Sequence, residues 1–366
     1  MDEIGISRDT AREWGLAGPN DASETTMTNV LILGGTNFIG PHVVRALVAQ
    51  GHDVTLYNRG TSPADLPAGV HRLTGTRAEI AARRDDFAAI TPDVVLDMRS
   101  MLEPEARAIV ETMTGIAPRI VTISSMDVYR AFGLLIGSED GDPVPVPFDE
   151  TGPLRQKRYP YRTETPPAPD DPRAWAQDYD KIPIEELVLG ADGIAGTILR
   201  LPMVYGDGDY QHRLLPYVQR IADGRPAIIL GDRDASFRAA RGYVGNVAAA
   251  IALAVTDDRA AGRIFNVTDD ETWTEREWIG HIADSMGWTG EIVVVPQGDL
   301  PESLRGLGER GQDLWVDATT IRRDLGYRDP VDVPTAMART IAWERQHLAA
   351  EPVDYAEEDA VLAGRA

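Results

Sequence analysis

The 366-residue chain has no cysteine, only two lysines and no apolar run long enough to cross a membrane as a helix. The absence of cysteine excludes disulfide bonds, a thiol nucleophile and thiolate metal ligands. The six histidines show no paired metal-ligand spacing, so the sequence predicts no metal site. The first residues lack a basic start followed by an apolar core, which predicts a soluble, cytoplasmic protein without a membrane partner.

Basic residues are also in short supply overall. The chain has 58 acidic residues against 36 lysines and arginines, which gives a formal net charge of −22. A nucleic-acid partner is not expected, because binding to a phosphate backbone depends on clustered cations. Lys157 and Lys181 are the only lysines among many arginines. Each is therefore a candidate for chemistry that needs a compact ammonium rather than a planar guanidinium.

Residues 30–40, VLILGGTNFIG, are the most informative stretch that is present. The apolar run 30–33 predicts a strand buried on both faces. Gly34 permits a sharp turn and a close approach to a pyrophosphate, and Gly40 lets the next helix, 38–50, pack against the strand. Free N–H groups at that helix start suit phosphate binding. The sequence thus predicts a dinucleotide site made of Gly34, Gly35, Thr36, Asn37, Phe38, Ile39 and Gly40.

The alternation of apolar strands with helices favours an α/β protein: a Rossmann-type, doubly wound parallel sheet with a smaller C-terminal α/β substrate lobe. Strands are expected near 30–34, 53–57, 69–74, 93–97, 118–124, 195–200 and 263–267. Helices are expected near 38–50, 77–89, 103–115, 175–190, 211–223, 244–256, 273–286 and 334–347. The proline-rich segment 131–173 predicts an inserted loop or lid.

These elements divide the chain into four parts. The predicted parts are a mobile N-terminal extension (1–27), a dinucleotide-binding domain (28–205, joined by 240–268), a substrate-binding lobe (206–239 and 269–347) and a loosely held acidic tail (348–366). We expect the partner to be a small-molecule substrate.

Four further blocks follow the glycine turn: ISSMDVY at 123–129, LRLPMVYG at 199–206, FNV at 265–267 and LGY at 325–327. Together, in this order over roughly residues 28–346, they resemble the extended short-chain dehydrogenase/reductase family of the NAD-dependent epimerase/dehydratase type. The resemblance implies an NAD(P)-dependent epimerase, dehydratase or reductase. It would act by hydride transfer on a polar, sugar-like or nucleotide-sugar-like substrate, and the resemblance allows a homodimer.

The resemblance also implies catalytic residues. Ser125 would orient the substrate oxygen, and Lys181 would hold the nicotinamide ribose and lower the pKa of a nearby tyrosine. Gln177 stands where the family has that tyrosine, four residues before the lysine. Tyr179 and Tyr161 are the two candidate proton donors. Tyr179 can serve only if the helix begins irregularly, because residues two apart on a regular helix point about 200° apart.

Gln177 leaves a second interpretation open. A side-chain amide cannot transfer a proton in the way a tyrosine hydroxyl does, so the chain could instead be a catalytically degenerate dinucleotide-binding protein with a regulatory or scaffold role.

The second strand indicates which cofactor is preferred. NAD-preferring sites carry an acid at the end of this strand, but here Asp53 lies at its start. Arg59 follows the strand and suits a 2′-phosphate, which predicts NADP, with NAD as the alternative. By resemblance, Thr76 replaces an aspartate near the adenine, and the segment after the sixth strand lies beside the nicotinamide. The further cofactor residues are therefore Asn58, Arg59, Thr76, Lys181, Leu201 and Met203.

Two groups of arginines are candidates for substrate binding. The run 154–162, LRQKRYPYR, is the only dense cationic stretch, and it either presents Arg155 and Arg158 to an anionic or sugar-like substrate or forms a solvated loop. Arg238 and Arg241 lie near the position where the family places a diphosphate-binding arginine.

Overall fold

The computed structural model describes residues 27–62, 64–168 and 170–365. The predicted N-terminal extension lies outside these residues except for Met27, which is exposed. The strands are β1 (Asn29–Leu33), β2 (Asp53–Asn58), β3 (His71–Thr74), β4 (Val94–Asp97), β5 (Arg119–Ser125), β6 (Ala195–Leu201), β7 (Met203–Tyr205), β8 (Ala227–Gly231), β9 (Arg241–Tyr243), β10 (Ile264–Asn266) and β11 (Glu291–Val295).

The α-helices are α1 (Ile39–Ala49), α2 (Arg84–Ile90), α3 (Glu103–Met113), α4 (Arg130–Leu135), α5 (Lys181–Leu189), α6 (Leu215–Ala222), α7 (Asp232–Ser236), α8 (Val244–Thr256), α9 (Glu275–Met286), α10 (Thr319–Leu325), α11 (Val333–Glu344) and α12 (Ala356–Ala363). Short 3-10 turns precede α2 at Arg77–Arg83 and α5 at Ala174–Asp178. In the described part of the chain, no helix has the length and apolar character needed to cross a membrane.

Seven strands form one parallel sheet in the order β10-β6-β5-β4-β1-β2-β3. The strand order reverses between β1 and β4, which is the point where doubly wound sheets bind ligands. These are the seven strands that the sequence predicted, and the predicted fold class is confirmed.

The inner strands of the sheet are buried on both faces, whereas the edge strand β3 is largely exposed. Along β1, Val30 and Ile32 join one apolar cluster while Leu31 and Leu33 join the other. The first cluster includes side chains of α1 and α8, and the second includes side chains of α2, α3 and α5. Each face therefore carries a helical layer, which explains why inner strands such as β1 and β4 are continuous apolar runs rather than alternating ones.

A smaller α/β lobe stands beyond the carboxyl end of the sheet. Its centre is the parallel pair β8 and β11, which packs near α6, α7 and α9. The short pair β7 and β9 leads from the end of β6 into this lobe. The sequence prediction omitted these four strands, although the apolar runs 227–230 and 292–295 have strand character.

The inserted segment and the acidic tail both pack against the body. Within 131–173, Val144 and Phe148 are buried in an apolar cluster beside the end of β5. The tail differs from the loose segment that the sequence predicted. Helix α12 docks on the lobe because Glu358 forms an ion pair of 2.6 Å with Arg220, and Leu362 packs on the apolar face of β8 and β11.

Candidate active site

The turn between β1 and α1 has the backbone that a dinucleotide site needs. Gly34 and Gly35 have φ angles of +104° and +81°, which side-chain-bearing residues rarely adopt. A Cβ on Gly40 would lie 2.6 Å from the Cα of Gly35, so the helix approaches the turn as closely as it does only because this residue is glycine. No side chain caps the start of α1. The turn 34–40 thus leads directly into an uncapped helix start, whose N–H groups are suited to binding a phosphate.

The end of β2 presents an amide and a cation. The Asn58 Oδ1 accepts from the Gly60 N–H at 2.8 Å, whereas its buried Nδ2 has no partner among the described residues. Arg59 is exposed. As the sequence predicted, Asp53 lies at the opposite end of the strand. Its carboxylate there is 3.6 Å from the imidazole of His71. This strand end therefore offers no carboxylate of its own to ribose hydroxyls.

Thr76 lies at the same edge, after β3, and caps the 3-10 turn that follows. Its hydroxyl donates to the Glu79 carboxylate at 2.9 Å. Its backbone carbonyl accepts from the Tyr57 hydroxyl at 2.8 Å. Thr76 already donates its hydroxyl proton within the turn. Towards an adenine, its hydroxyl oxygen can therefore only accept a hydrogen bond.

Helix α5 begins irregularly, and this brings a tyrosine to the lysine. Asp180 is its N-cap residue, since the carboxylate accepts from the Ile182 N–H at 3.1 Å. Tyr179 precedes the helix in an extended conformation (φ −75°, ψ 121°) and forms a β-bridge with Leu102. The Lys181 Nζ therefore lies 5.8 Å from the centre of the Tyr179 ring rather than on the opposite side of a helix.

Lys181 is buried at the carboxyl edge of the sheet. Its Nζ donates to the backbone carbonyl of Ile123 at 3.1 Å and to that of Ser100. Burial lowers the pKa of this ammonium to about 8, although the carboxylates of Asp127 and Asp97 act in the opposite direction. An amine in this position changes charge close to neutral pH, which is typical of functional lysines.

The Tyr179 hydroxyl donates to the Asp127 Oδ2 at 2.5 Å, and both side chains are buried. Burial, followed by the charge of Asp127, holds the pKa of Tyr179 well above its usual value. Burial also raises the pKa of Asp127. Tyr161 is 39% exposed, and its ring centre lies 5.6 Å from that of Tyr179. Tyr179 thus keeps its proton at neutral pH, as a general acid must.

Ser125 ends β5 beside these groups, and its Oγ accepts from the Asp127 N–H at 3.2 Å. In the sheet it pairs with Leu201, which is buried; Met203 is half-buried two residues later. The structure therefore brings Ser125, Tyr161, Tyr179 and Lys181 to one edge. Sequence reasoning missed Asp127, although its place two residues after Ser125 was a usable signal.

Sequence reasoning also missed the carboxylate at the end of β4. Asp97 accepts from the Arg77 guanidinium at 2.8 Å through each of its oxygens, and from the Ser100 hydroxyl. This network fixes the loop whose Ser100 carbonyl receives Lys181. Arg77 and Asp97 are twenty residues apart in the chain, so only the paired strands bring them together.

The four predicted substrate arginines all lie in contacts with other groups of the protein. Arg155 has a fully buried side chain and forms an ion pair with Asp180 at 2.9 Å, so it positions the start of α5 rather than facing a ligand. Arg158 pairs on the surface with Glu186 at 2.8 Å. Arg238 donates to the backbone carbonyl of Thr272, and Arg241 pairs with the carboxylate of Glu275.

A cavity of about 460 Å³ lies where β7 and β9 enter the lobe. Four aromatic side chains and four arginines contribute to its wall: Tyr205, Tyr217, Phe237, Trp278, Arg213, Arg220, Arg241 and Arg305. Each arginine already pairs with a carboxylate, at 2.7 Å from Arg213 to Asp209, at 2.6 Å from Arg220 to Glu358 and at 3.0 Å from Arg305 to Glu309, and Arg241 pairs with Glu275. Met203 lines the cavity, whereas Ser125, Tyr179 and Lys181 do not.

Comparison with known proteins identifies the family. The sequence profile of the NAD dependent epimerase/dehydratase family matches residues 30–268. The chain belongs to this family. The family that the sequence predicted is therefore confirmed, and its members are NAD(P)-dependent epimerases, dehydratases and reductases.

Among family relatives, the chain is similar to 2′-dehydrokanamycin reductase of Streptomyces kanamyceticus. They share 28% identity over 288 residues, which cover 77% of this chain and 73% of the relative. Chloroplast stem-loop binding protein of 41 kDa b from Arabidopsis thaliana is 25% identical over 263 residues, 68% of this chain and 61% of that one. UDP-glucose 4-epimerase of Thermotoga maritima, solved with UDP-glucose, has the same fold with a TM-score of 0.62 at 18% identity, and the match covers 88% of this chain and 100% of that one.

Proposed function

We propose that the protein is an NADP(H)-dependent oxidoreductase that reduces a carbonyl group on a polar, sugar-like substrate, or oxidises the corresponding alcohol. The observation that carries this proposal is the buried hydrogen bond between Tyr179 and Asp127, with Lys181 beside the tyrosine ring. Epimerases, dehydratases and reductases of the family would all use this hydride step, so the proposal concerns the chemistry that these three classes share.

The residues present fit a dinucleotide phosphate. The turn at 34–40 and the uncapped start of α1 would hold the pyrophosphate. The unpartnered Nδ2 of Asn58 and the exposed guanidinium of Arg59 are donors suited to the adenosine ribose and its 2′-phosphate. When bound, this cofactor supplies or accepts the hydride.

The side chains of the protein would then supply the proton and stabilise the charge that its transfer leaves. Tyr179 keeps its hydroxyl proton at neutral pH and donates it to the oxygen of the carbonyl being reduced. The Lys181 ammonium, close to the ring, stabilises negative charge that develops on the tyrosine oxygen. Ser125 adds a second hydrogen bond to the same substrate oxygen. Asp127 holds the hydroxyl in position before the substrate arrives.

The cavity supports a substrate without a diphosphate group. Four aromatic side chains line it, and its four arginines, Arg213, Arg220, Arg241 and Arg305, are each paired with a carboxylate. A diphosphate would need free guanidinium groups or would have to displace these carboxylates. A polar, weakly charged substrate that stacks on aromatic side chains is the better match. The relative named as a 2′-dehydrokanamycin reductase agrees with reduction as the direction.

Consumption of NADPH with a panel of keto-sugars, nucleotide sugars and simple ketones tests the proposal. We expect turnover with a keto-sugar, and Tyr179→Phe should lower kcat by about 10²- to 10⁴-fold, as expected when a general acid is removed. Tyr161→Phe is the matched control, because it also removes only a hydroxyl from the neighbouring ring, and it should keep kcat within a few-fold.

Two results would contradict the proposal. If NADPH binds and no carbonyl compound consumes it, the non-catalytic interpretation suggested by Gln177 becomes the better one. If Tyr161→Phe abolishes turnover while Tyr179→Phe keeps it, the proton donor is misassigned.

A further inference from the structure

Three potential metal ligands meet in the lobe, away from the strand edge that carries Lys181. The ligand atoms of His212, Glu344 and His347 all lie within 4.8 Å of one another. His212 belongs to the segment between β7 and α6, while Glu344 ends α11 and His347 lies in the 3-10 turn that follows. The spacing of three residues places Glu344 and His347 on one side of the chain. The sequence prediction of no metal site rested on the spacing among the histidines alone.

The carboxylate of Glu344 is the most informative group in the cluster. Its side chain is fully buried, and its Oε2 lies 2.8 Å from the His212 Nδ1. Its Oε1 is buried as well but has no hydrogen-bond partner within the described residues. A buried carboxylate oxygen without a partner costs free energy unless a proton or a cation satisfies it.

The hydrogen bonds and ring packing of the two imidazoles also suit metal binding. The His347 Nδ1 lies 3.0 Å from the backbone carbonyl of Trp343, and a carbonyl only accepts, so this nitrogen carries the hydrogen. The Nε2 of His347 therefore keeps its lone pair, which is the arrangement that a backbone carbonyl imposes on metal-bound histidines. His212 has a φ of 49°, a left-handed conformation that is rare for residues other than glycine, and its ring stacks on Trp343 at 5.0 Å.

We propose that His212, Glu344 and His347 bind a divalent transition-metal ion of the zinc class. Two imidazoles and one carboxylate are a ligand set that Zn²⁺ takes in proteins, with water in the fourth position. Bonds of about 2.0–2.2 Å bring neighbouring ligand atoms to roughly 3.4 Å of each other, so the cluster would contract on binding. The side chain of His347 is exposed, so this contraction does not have to displace core residues.

The segment that carries His212, residues 206–214, links this cluster to the proposed active site. On one side, Tyr210 packs edge-on against Phe38 of the glycine turn, with ring centres 6.2 Å apart. On the other side, Gln211 and Arg213 line the cavity of the lobe. A metal ion at His212 would tie this segment to the end of α11 and so stabilise the region between cofactor and substrate.

Titration of the full-length protein with Zn²⁺ after treatment with a chelator tests this proposal. We expect one equivalent of Zn²⁺ to bind and to raise the melting temperature of the wild type. His347→Ala removes an exposed ligand and should weaken binding at least tenfold and abolish the rise. The matched control is His71→Ala, since His71 also lies beside a carboxylate, 3.6 Å from Asp53, and is not part of any such cluster in the described residues.

The visible absorption of bound Co²⁺ supplies a second measurement, because its intensity reports on coordination number without any assay of activity. We expect a four-coordinate spectrum in the wild type and in His71→Ala, and its loss in His347→Ala. The proposal is overturned if the wild type binds no stoichiometric Zn²⁺, or if His347→Ala binds it as tightly as the wild type does.

Discussion

Lys181 shows how far single residues could be interpreted from the sequence. Its rarity among arginines and its place in the catalytic block singled it out, and the structure shows its ammonium donating to the backbone carbonyls of Ile123 in β5 and of Ser100 in the loop after β4. Tyr179 could not be chosen over Tyr161 from the sequence. That choice depends on where α5 begins, and the beginning is fixed by the side chain of Asp180.

The pKa of Lys181 leads to a prediction about cofactor affinity. Burial lowers this pKa from 10.5 to about 8, so the ammonium is charged below pH 8 and loses its charge as the pH rises through that value. If the ammonium holds the nicotinamide ribose, the Kd of the wild type for NADPH should be constant below about pH 8. Above that value it should rise by up to about tenfold per pH unit. Fluorescence titration of NADPH measures this directly.

Lys181→Arg is the informative variant for the same measurement. A guanidinium stays charged throughout this range but is larger and planar. The variant should therefore bind NADPH more weakly, lose most of its turnover, and show no change in Kd around pH 8. A wild-type Kd that does not vary up to about pH 9.5 would show that the ammonium does not contact the cofactor.

Arg59 carries the predicted cofactor preference. Its exposed guanidinium is the charged group suited to a 2′-phosphate at the end of β2. Arg59→Ala should weaken NADP⁺ binding by about tenfold, or about 1.4 kcal/mol, and leave NAD⁺ binding unchanged. Arg158→Ala, which removes another exposed arginine, should alter neither. Calorimetry with both cofactors is the measurement, and NAD⁺ binding tenfold tighter than NADP⁺ in the wild type would refute the preference.

At the scale of elements, helix boundaries were the least predictable feature. The sequence predicted one helix over 175–190, whereas the structure has a 3-10 turn at Ala174–Asp178, an extended Tyr179 and then α5. The interruption places the tyrosine beside the lysine. A buried ion pair between Asp180 and Arg155 of the inserted segment stabilises it. Periodicity alone does not reveal a partner that lies 25 residues away.

Asp180→Ala tests this interruption. The change removes the N-cap of α5 and leaves the buried guanidinium of Arg155 without its counter-charge, so we expect the free energy of unfolding to fall by about 3–5 kcal/mol. Urea denaturation measures the loss. The control is Asp178→Ala, two residues before Asp180. It breaks an exposed ion pair with Arg162 and should lower the free energy of unfolding by less than about 1 kcal/mol. Equal losses in the two variants would contradict a specific role for Asp180.

At the scale of the whole molecule, the doubly wound parallel sheet and the family could be predicted, but the charge pairing could not. The inner strands of the sheet follow from continuous apolar runs, and these runs do not depend on how the loops fold. Three of the four arginines that the sequence predicted to bind substrate, Arg155, Arg158 and Arg241, are instead paired with carboxylates from other parts of the chain. Arg241 and Glu275, for example, are 34 residues apart. A homodimer and a cytoplasmic location stay predictions.

The most direct measurement is a crystal structure of the full-length protein with NADPH. The glycine turn at 34–40 should hold the pyrophosphate and Arg59 the 2′-phosphate. The Lys181 Nζ should lie about 3 Å from a hydroxyl of the nicotinamide ribose, with the Tyr179 hydroxyl facing the nicotinamide. A cofactor whose nicotinamide lies away from both Lys181 and Tyr179 would contradict the hydride-transfer function proposed for this protein.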